Sequence, residues 1–409
     1  MEQLKELILS EINQTMGCTE VGIIGYAAAA ATVELEGEEV ESVSLKVNHG
    51  LYKNALSVGI PGTLKAGLLK AVLLGVMIKD PSKKLAVFEG VTDECLAKLE
   101  GFENRVDFHV EYFMSTKLYL ELTLKSKNHT VTAIVEDRHD NLTKIIKDGN
   151  SVFEATPCKA LDKGEEVKPC DITLDTILDY VMNCNCSKEC SKHPHEILAF
   201  AEANLKASEL ELVLNTENFY EMVEEITDQV FNSSKNRMIG KKKIIFSIFS
   251  SGNLGISTMI PALLLGKAYG LDERERLRLI SLAALIVVYF KMKMNMITTI
   301  CGSGHGAGAA AAACVAYVIT KDRECIKNAI NMVVASGAGV LCDGAKESCA
   351  YKVSGFVRTG LIMGKKASEG QKLIGNNGLN KDDVEQTIQN LCNLNNEMEI
   401  IDKNILAMI

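Results

Sequence analysis

KLYLELTLK at Lys117–Lys125 and HTVTAIVED at His129–Asp137 carry an apolar residue at every second position, separated by a short polar turn. A period of two puts alternate side chains on opposite faces of an extended chain, so each run reads as a half-buried strand. The same texture extends from Arg105 to Phe153, broken by Asn, Asp and Gly, and predicts an antiparallel meander. Upstream the pattern alternates. Helices are expected near 2–14, 20–33 and 63–78, with strands at Val40–Val47 and Lys84–Glu89. Beyond about Asp171 the strand signals fade into a 3.6-residue period with glycine-rich junctions at Ser250–Gly255, Cys301–Gly308 and Ser336–Gly339. The expected fold is therefore α+β: an N-terminal α/β domain over 1–180 with a mixed or antiparallel sheet, then an all-helical domain over 181–409. The boundary is expected between the charged stretch Pro157–Pro169 and the polar, cysteine-rich stretch Cys184–His195.

Composition narrows the function classes. With 409 residues, 47% apolar and 24% charged residues and only 6 prolines, the chain can bury more than one core. A net charge of −9 argues against a nucleic-acid or anionic-membrane partner, and the one dense basic run, Lys241–Lys243, is short. The N-terminal MEQLKELILSEINQ reads as an amphipathic helix and not as a secretion signal. The greasiest runs, Ile280–Phe290 and Gly306–Thr320, fall short of the ~20 residues a membrane helix needs. A cytoplasmic location is expected, and there 13 cysteines point to metal ligation, catalysis or plain burial instead of disulfides.

Four groups of residues can carry chemistry. Cys301 in TTICGSGHGAGAA and Cys342 and Cys349 in GVLCDGAKESCAYK sit beside small residues; 40 residues separate the first two and 6 the last two, too wide for a zinc knuckle. Glycine flanks allow the backbone to approach a bulky cluster whose sulfurs accept N–H bonds, and three thiolates would leave a fourth iron open as a Lewis acid. Burial as small hydrophobes is the competing reading. Cys18, in QTMGCTEVGIIGYAAAAA, stands just before an alanine-rich helix, where the helix dipole favours a thiolate able to act as base, and Glu20 suits the same dipole; a capping pattern with a packed thiol is the alternative. The turns VNHGLYKNALSVGIPGT (47–63) and FSSGNLGISTMIP (249–261) offer donors for an amino-acid carboxylate, with Lys53, Asn54, Thr63, Gly252 and Asn253 as candidates, or they are ordinary turns and helix caps. Cys184, Cys186, Cys190, His193 and His195 form the densest set of soft ligands, suited to a second metal or simply part of a linker. His305, beside Cys301, could shuttle a proton or be structural.

Taken together and in this order, GCTE before the alanine-rich helix, KNALSVGIPGT, SSGNLG, CGSGHGAGAAAAA and CDGAKESCAYKVS span nearly the whole chain. In this combination the chain resembles the L-cysteine desulfidase family, whose relatives include the iron–sulfur L-serine dehydratases. Val21 stands where that family often has proline, and Leu254 where its SGN turn usually continues differently. The resemblance implies a carbon–sulfur lyase that splits L-cysteine into hydrogen sulfide, ammonia and pyruvate. It also implies a 4Fe-4S cluster held by Cys301, Cys342 and Cys349, Cys18 as catalytic base, and no pyridoxal phosphate. The expected partner is a small-molecule amino acid; nucleic acid and membrane are not expected, and a homodimer is the protein assembly allowed for. Dehydration of L-serine and a non-catalytic redox sensor are the rival activities.

Overall fold

The computed structural model describes residues 2–155, 172–183, 194–294 and 298–409. Its first half runs α1 (Glu2–Glu11), β1 (Ile12–Met16), α2 (Thr19–Val33), β2 (Ser42–Asn48), α3 (His49–Ala55), α4 (Leu68–Ile78), a 3₁₀ segment (Pro81–Gly90) and α5 (Asp93–Glu103). Five strands follow: β3 (Asp107–Phe113), β4 (Tyr119–Lys125), β5 (Thr130–Glu136), β6 (Leu142–Lys147) and β7 (Asn150–Glu154). These join β2 in a six-stranded sheet ordered β3-β2-β4-β5-β6-β7, in which only the β2–β3 pair is parallel. The alternation that opens the sequence reading is realised directly: Leu120, Leu122 and Leu124 of β4 and Val131, Ala133 and Val135 of β5 are buried. They cover α2, whose run of Ala27–Ala31 is buried on every side because α4 packs on its far face. That crossing is close: a Cβ on Gly75 would stand 2.3 Å from the Gly25 carbonyl oxygen, so α4 must carry glycine there.

The second half contains α6 (Leu174–Asn183), α7 (Pro194–Lys206), α8 (Phe219–Met238), β8 (Ile244–Ile248), α9 (Gly252–Ala268), α10 (Glu273–Lys293), α11 (Gly302–Thr320), α12 (Arg323–Gly337), α13 (Cys349–Ser368), α14 (Val384–Asn396) and α15 (Glu399–Leu406). The alanine-rich α11 is the central rod, touching α9, α10, α12 and α13. Small residues allow α11 and α13 to meet backbone to backbone, since a Cβ on Gly360 would lie 2.1 Å from the Gly308 carbonyl oxygen. Among the described residues no helix is long and apolar enough to cross a membrane.

The α+β reading stands, with three local corrections. Residues 84–89, expected as a strand, lie in the 3₁₀ segment, which starts at Pro81 with Asp80 capping Ser82. The N-terminal helix ends at Glu11, and residues 12–16 form β1, which pairs antiparallel with β8. Both five-residue strands hide inside helical surroundings, so neither shows enough alternation to be read. The meander also begins with a parallel neighbour, β3, and not an antiparallel one. Two hydrophobic cores result, one around α2 and the sheet, one around α11; Leu4, Ile8 and Ile12 belong to the second, so the cores do not follow a single cut in the chain.

A buried ionic clasp ties the halves together. Asp402 of α15 accepts from Lys53 Nζ at 2.6 Å and from Thr299 Oγ1 at 2.6 Å, with His49 Nε2 at 3.5 Å. Burial opposes ionisation of Asp402, but His49, Lys53 and Thr299 outweigh it and hold the carboxyl down to about 2. Because the folded value lies below the unfolded value of ~3.9, this stabilisation is present above about pH 4 and is lost as pH falls toward 2. Asp402→Asn leaves Lys53 buried without its counter-charge and is expected to cost about 3 kcal/mol at pH 7. Urea midpoints should differ strongly at pH 7 and converge on acidification; equal midpoints at pH 7 would rule the clasp out as a stabilising element.

Candidate active site

The two halves face each other across a chamber of about 120 Å³, space for a compact ligand or several waters. From the first half come Cys18, Thr19, Glu20, Asn54 and His139. From the second come Arg237, Asn253, Lys291, Cys301, Cys342 and Cys349, with Phe249, Ser250, Ser251 and Ser303.

Local folding explains how the three distant cysteines meet. Cys301 caps the N-terminus of α11 and Cys349 is the first residue of α13, so the close packing of these helices brings both to one wall. Cys342 joins them through a short antiparallel bridge between Ile300 and Leu341: the Cys342 amide donates to the Thr299 carbonyl at 2.7 Å and the Cys301 amide to the Val340 carbonyl at 2.8 Å. The loop from Cys342 to Cys349 is braced from several sides. Lys346 and Lys352 both pair with Asp343, and Lys53 Nζ donates to the Cys342 carbonyl at 2.9 Å. Gly344, at φ +97°, lies where a Cβ would meet the Lys53 carbonyl oxygen at 2.7 Å, so only glycine fits.

Cys18 faces this wall from the N-terminus of α2, where it is the cap residue. Its thiol donates to Glu20 Oε2 at 2.7 Å, and Glu20 also accepts from Thr19 Oγ1 at 3.0 Å and from Asn54 Nδ2 at 3.0 Å. The expectation that the dipole lowers this thiol is reversed. Burial is the largest influence and the Glu20 charge adds to it, so the proton is held on sulfur well above the usual thiol range, with Arg237 acting only partly against them. Glu20 shows the complementary behaviour: burial opposes its ionisation, but His139, the Cys18 thiol and Arg237 together hold it below the usual carboxyl value.

The donor set fits an iron–sulfur cluster. Burial raises Cys301 to about 12, with Cys342 adding to the rise, and burial likewise raises Cys349. Such thiols ionise readily only when a cation compensates them. Among the described residues, no three His, Cys, Asp or Glu side chains converge on a single-ion position. Lys291 sits in the same chamber, brought down to about 8 by burial despite the nearby Cys342 and Glu20.

Of the residues expected to hold substrate, Asn54 and Asn253 line the chamber. Lys53 does not: it is 2% exposed and spends its ammonium on Asp402 and the Cys342 carbonyl. Thr63 lies in a separate turn, its hydroxyl donating to the Ile60 carbonyl at 2.8 Å. Gly252 lies behind the lining, where a Cβ would meet Arg237 Nε at 2.2 Å. His305 is buried against Phe356 with Nδ1 2.9 Å from the Cys301 carbonyl oxygen, a structural role. Cys184, Cys186, Cys190 and His193 lie outside the described residues, and so does the side chain of His195. Sequence reasoning passed over His139, Arg237 and Lys291. His139 is in a hairpin turn, Arg237 ends a surface-looking helix, and Lys291 closes an apolar run; none of these settings signals a site.

The chamber thus sets Cys18 across from Cys301, Cys342 and Cys349, and the class of protein comes from the comparisons. The family model described as "Serine dehydratase alpha chain" matches residues 82–407, and the chain belongs to that family. Similar relatives include a UPF0597 protein of Thermosipho africanus, 30% identical over 409 residues and covering 99% of both chains. UPF0597 proteins of Fervidobacterium nodosum and Clostridium perfringens are each 31% identical, over 99% of this chain and 96% of theirs.

Proposed function

We propose that this protein is an iron–sulfur lyase that eliminates hydrogen sulfide from L-cysteine, leaving ammonia and pyruvate. One observation carries the reading: Cys18 and Glu20 on one side, and Cys301, Cys342 and Cys349 on the other, line a single chamber. A 4Fe-4S cluster bound there would be held by those three thiolates and would supply Lewis-acid chemistry for the leaving sulfur.

The chain's own residues do the rest. Cys18 and Glu20 act as one acid–base unit. Burial and the Glu20 charge hold the proton on sulfur, so its passage to Glu20 across the 2.7 Å contact is an uphill step that must precede abstraction of the substrate α-proton by Cys18. The electrons of that C–H bond form the Cα–Cβ double bond as the Cβ–S bond breaks, and the sulfur leaves with its electron pair. The aminoacrylate released becomes an imine and hydrolyses to pyruvate and ammonium.

Glu20→Gln retains the size and the Asn54 contact region but cannot accept the Cys18 proton, and kcat should fall roughly 100-fold with the fold intact. An unchanged kcat would remove Glu20 from the proton path. The family's name favours a second reading, dehydration of L-serine by the same residues with water as leaving group. Parallel assays decide between them: sulfide and pyruvate in equal amounts from L-cysteine, with little pyruvate from L-serine, supports the desulfidase. The reverse preference would replace it with the dehydratase.

A further inference from the structure

Buried polar atoms in folded proteins nearly always have partners, so those without one mark places where a ligand supplies it. Residues lining the chamber hold four such atoms: Asn54 Oδ1, both ring nitrogens of His139, and Arg237 Nε. Arg237 is the most demanding of them. Its residue is 4% exposed, its Nη1 donates to Asn253 Oδ1 at 3.1 Å, and among the described residues it forms no ion pair. A buried guanidinium without a carboxylate is costly, and its planar fork matches a carboxylate in two-point contact.

We propose that Arg237 binds the ionised α-carboxylate of the substrate, which makes the chamber selective for free amino acids over amides, esters and chain-internal residues. The inference rests on the lyase reading and identifies how that site recognises its ligand. The surrounding geometry is consistent throughout. Gly252 gives the guanidinium its space, since a Cβ there would stand 2.2 Å from Nε, and Asn253 orients it through Nη1. Arg237 is close enough for its charge to reach both Cys18 and Glu20. A carboxylate on Arg237 therefore holds Cα beside the base while the side chain extends toward the three cysteines. Asn54 Oδ1, the unpartnered acceptor, suits the α-ammonium.

The test is calorimetric binding to the cluster-loaded protein under anaerobic conditions, using 3-mercaptopropionate and its neutral near-isostere 3-mercaptopropionamide. Wild type should prefer the acid on the order of 10- to 100-fold, as expected for charge-assisted bonds to a buried guanidinium. Arg237→Gln should abolish that preference by weakening the acid alone, and Arg237→Lys should retain part of it. Equal binding of acid and amide by wild type overturns the proposal without any variant, and so does equal weakening of both probes in Arg237→Gln. If wild type releases sulfide from cysteine yet Arg237→Gln binds the acid normally, Arg237 alone is wrong. If wild type binds neither probe and releases no sulfide from L-cysteine, the lyase reading falls and takes this inference with it; sulfide release without binding of the acid overturns the carboxylate contact alone.

Discussion

Cys18→Ser is expected to lower kcat by roughly 1,000-fold or more while iron and acid-labile sulfide stay at wild-type levels. The hydroxyl is close to the thiol in size and can still donate to Glu20, so the α2 cap and the chamber wall survive. A serine hydroxyl, however, is a far weaker acid than a thiol in the same setting, and among the described residues no other thiol lines that side of the chamber. The separation of effects is the informative part: Cys18 is on the wall opposite Cys301, Cys342 and Cys349, so its loss should touch proton transfer and nothing else. Retained turnover in this variant would remove Cys18 as the base and shift attention to His139 or Lys291.

Cys342→Ala should behave in the opposite sense, with iron lost first and activity lost as its consequence. Removing one of three thiolates should weaken the cluster well beyond the roughly 10- to 100-fold that follows from disturbing an outer-shell partner. The backbone contacts that hold the loop do not involve the Cys342 side chain, because Lys53 binds its carbonyl and Thr299 accepts from its amide. The fold should therefore persist, with far-ultraviolet circular dichroism unchanged and the visible absorption gone. Cys314→Ala is the control, since that thiol is buried in α11 away from the chamber and bonds the Leu279 carbonyl. Equal iron loss in both variants would mean that general destabilisation, and not ligation, is being measured.

The contrast between fold and site shows what a single chain makes legible. Alternation over Lys117–Lys125 and His129–Asp137 is enough to read β4 and β5, because one face of the sheet is buried against α2 and the other is wet. The alanine and glycine of α11 announce close helix packing in the same way. β1 and β8 escape because five residues carry too little pattern, and the 3₁₀ segment escapes because its apolar residues mimic a strand. For the site, the cysteines can be named from motif order, but their meeting depends on the Ile300–Leu341 bridge and on the α11–α13 contact, both long-range. Lys53 looks like a substrate cation until Asp402, 349 positions away, is seen to claim it. His139 and Arg237 have no motif; only their buried, unpartnered nitrogens single them out. The electrostatics of Cys18 are also beyond sequence reading, since helix position argues for a thiolate while burial and Glu20 keep the proton on sulfur.

The most direct test of the lyase reading is to titrate iron and sulfide into metal-free protein under anaerobic conditions and follow hydrogen sulfide and pyruvate released from L-cysteine. Equal amounts of the two products are expected, rising in proportion to cluster loading and staying at zero without it, even when pyridoxal phosphate is added. Turnover by iron-free protein, or a fully loaded protein that releases neither product, would contradict it.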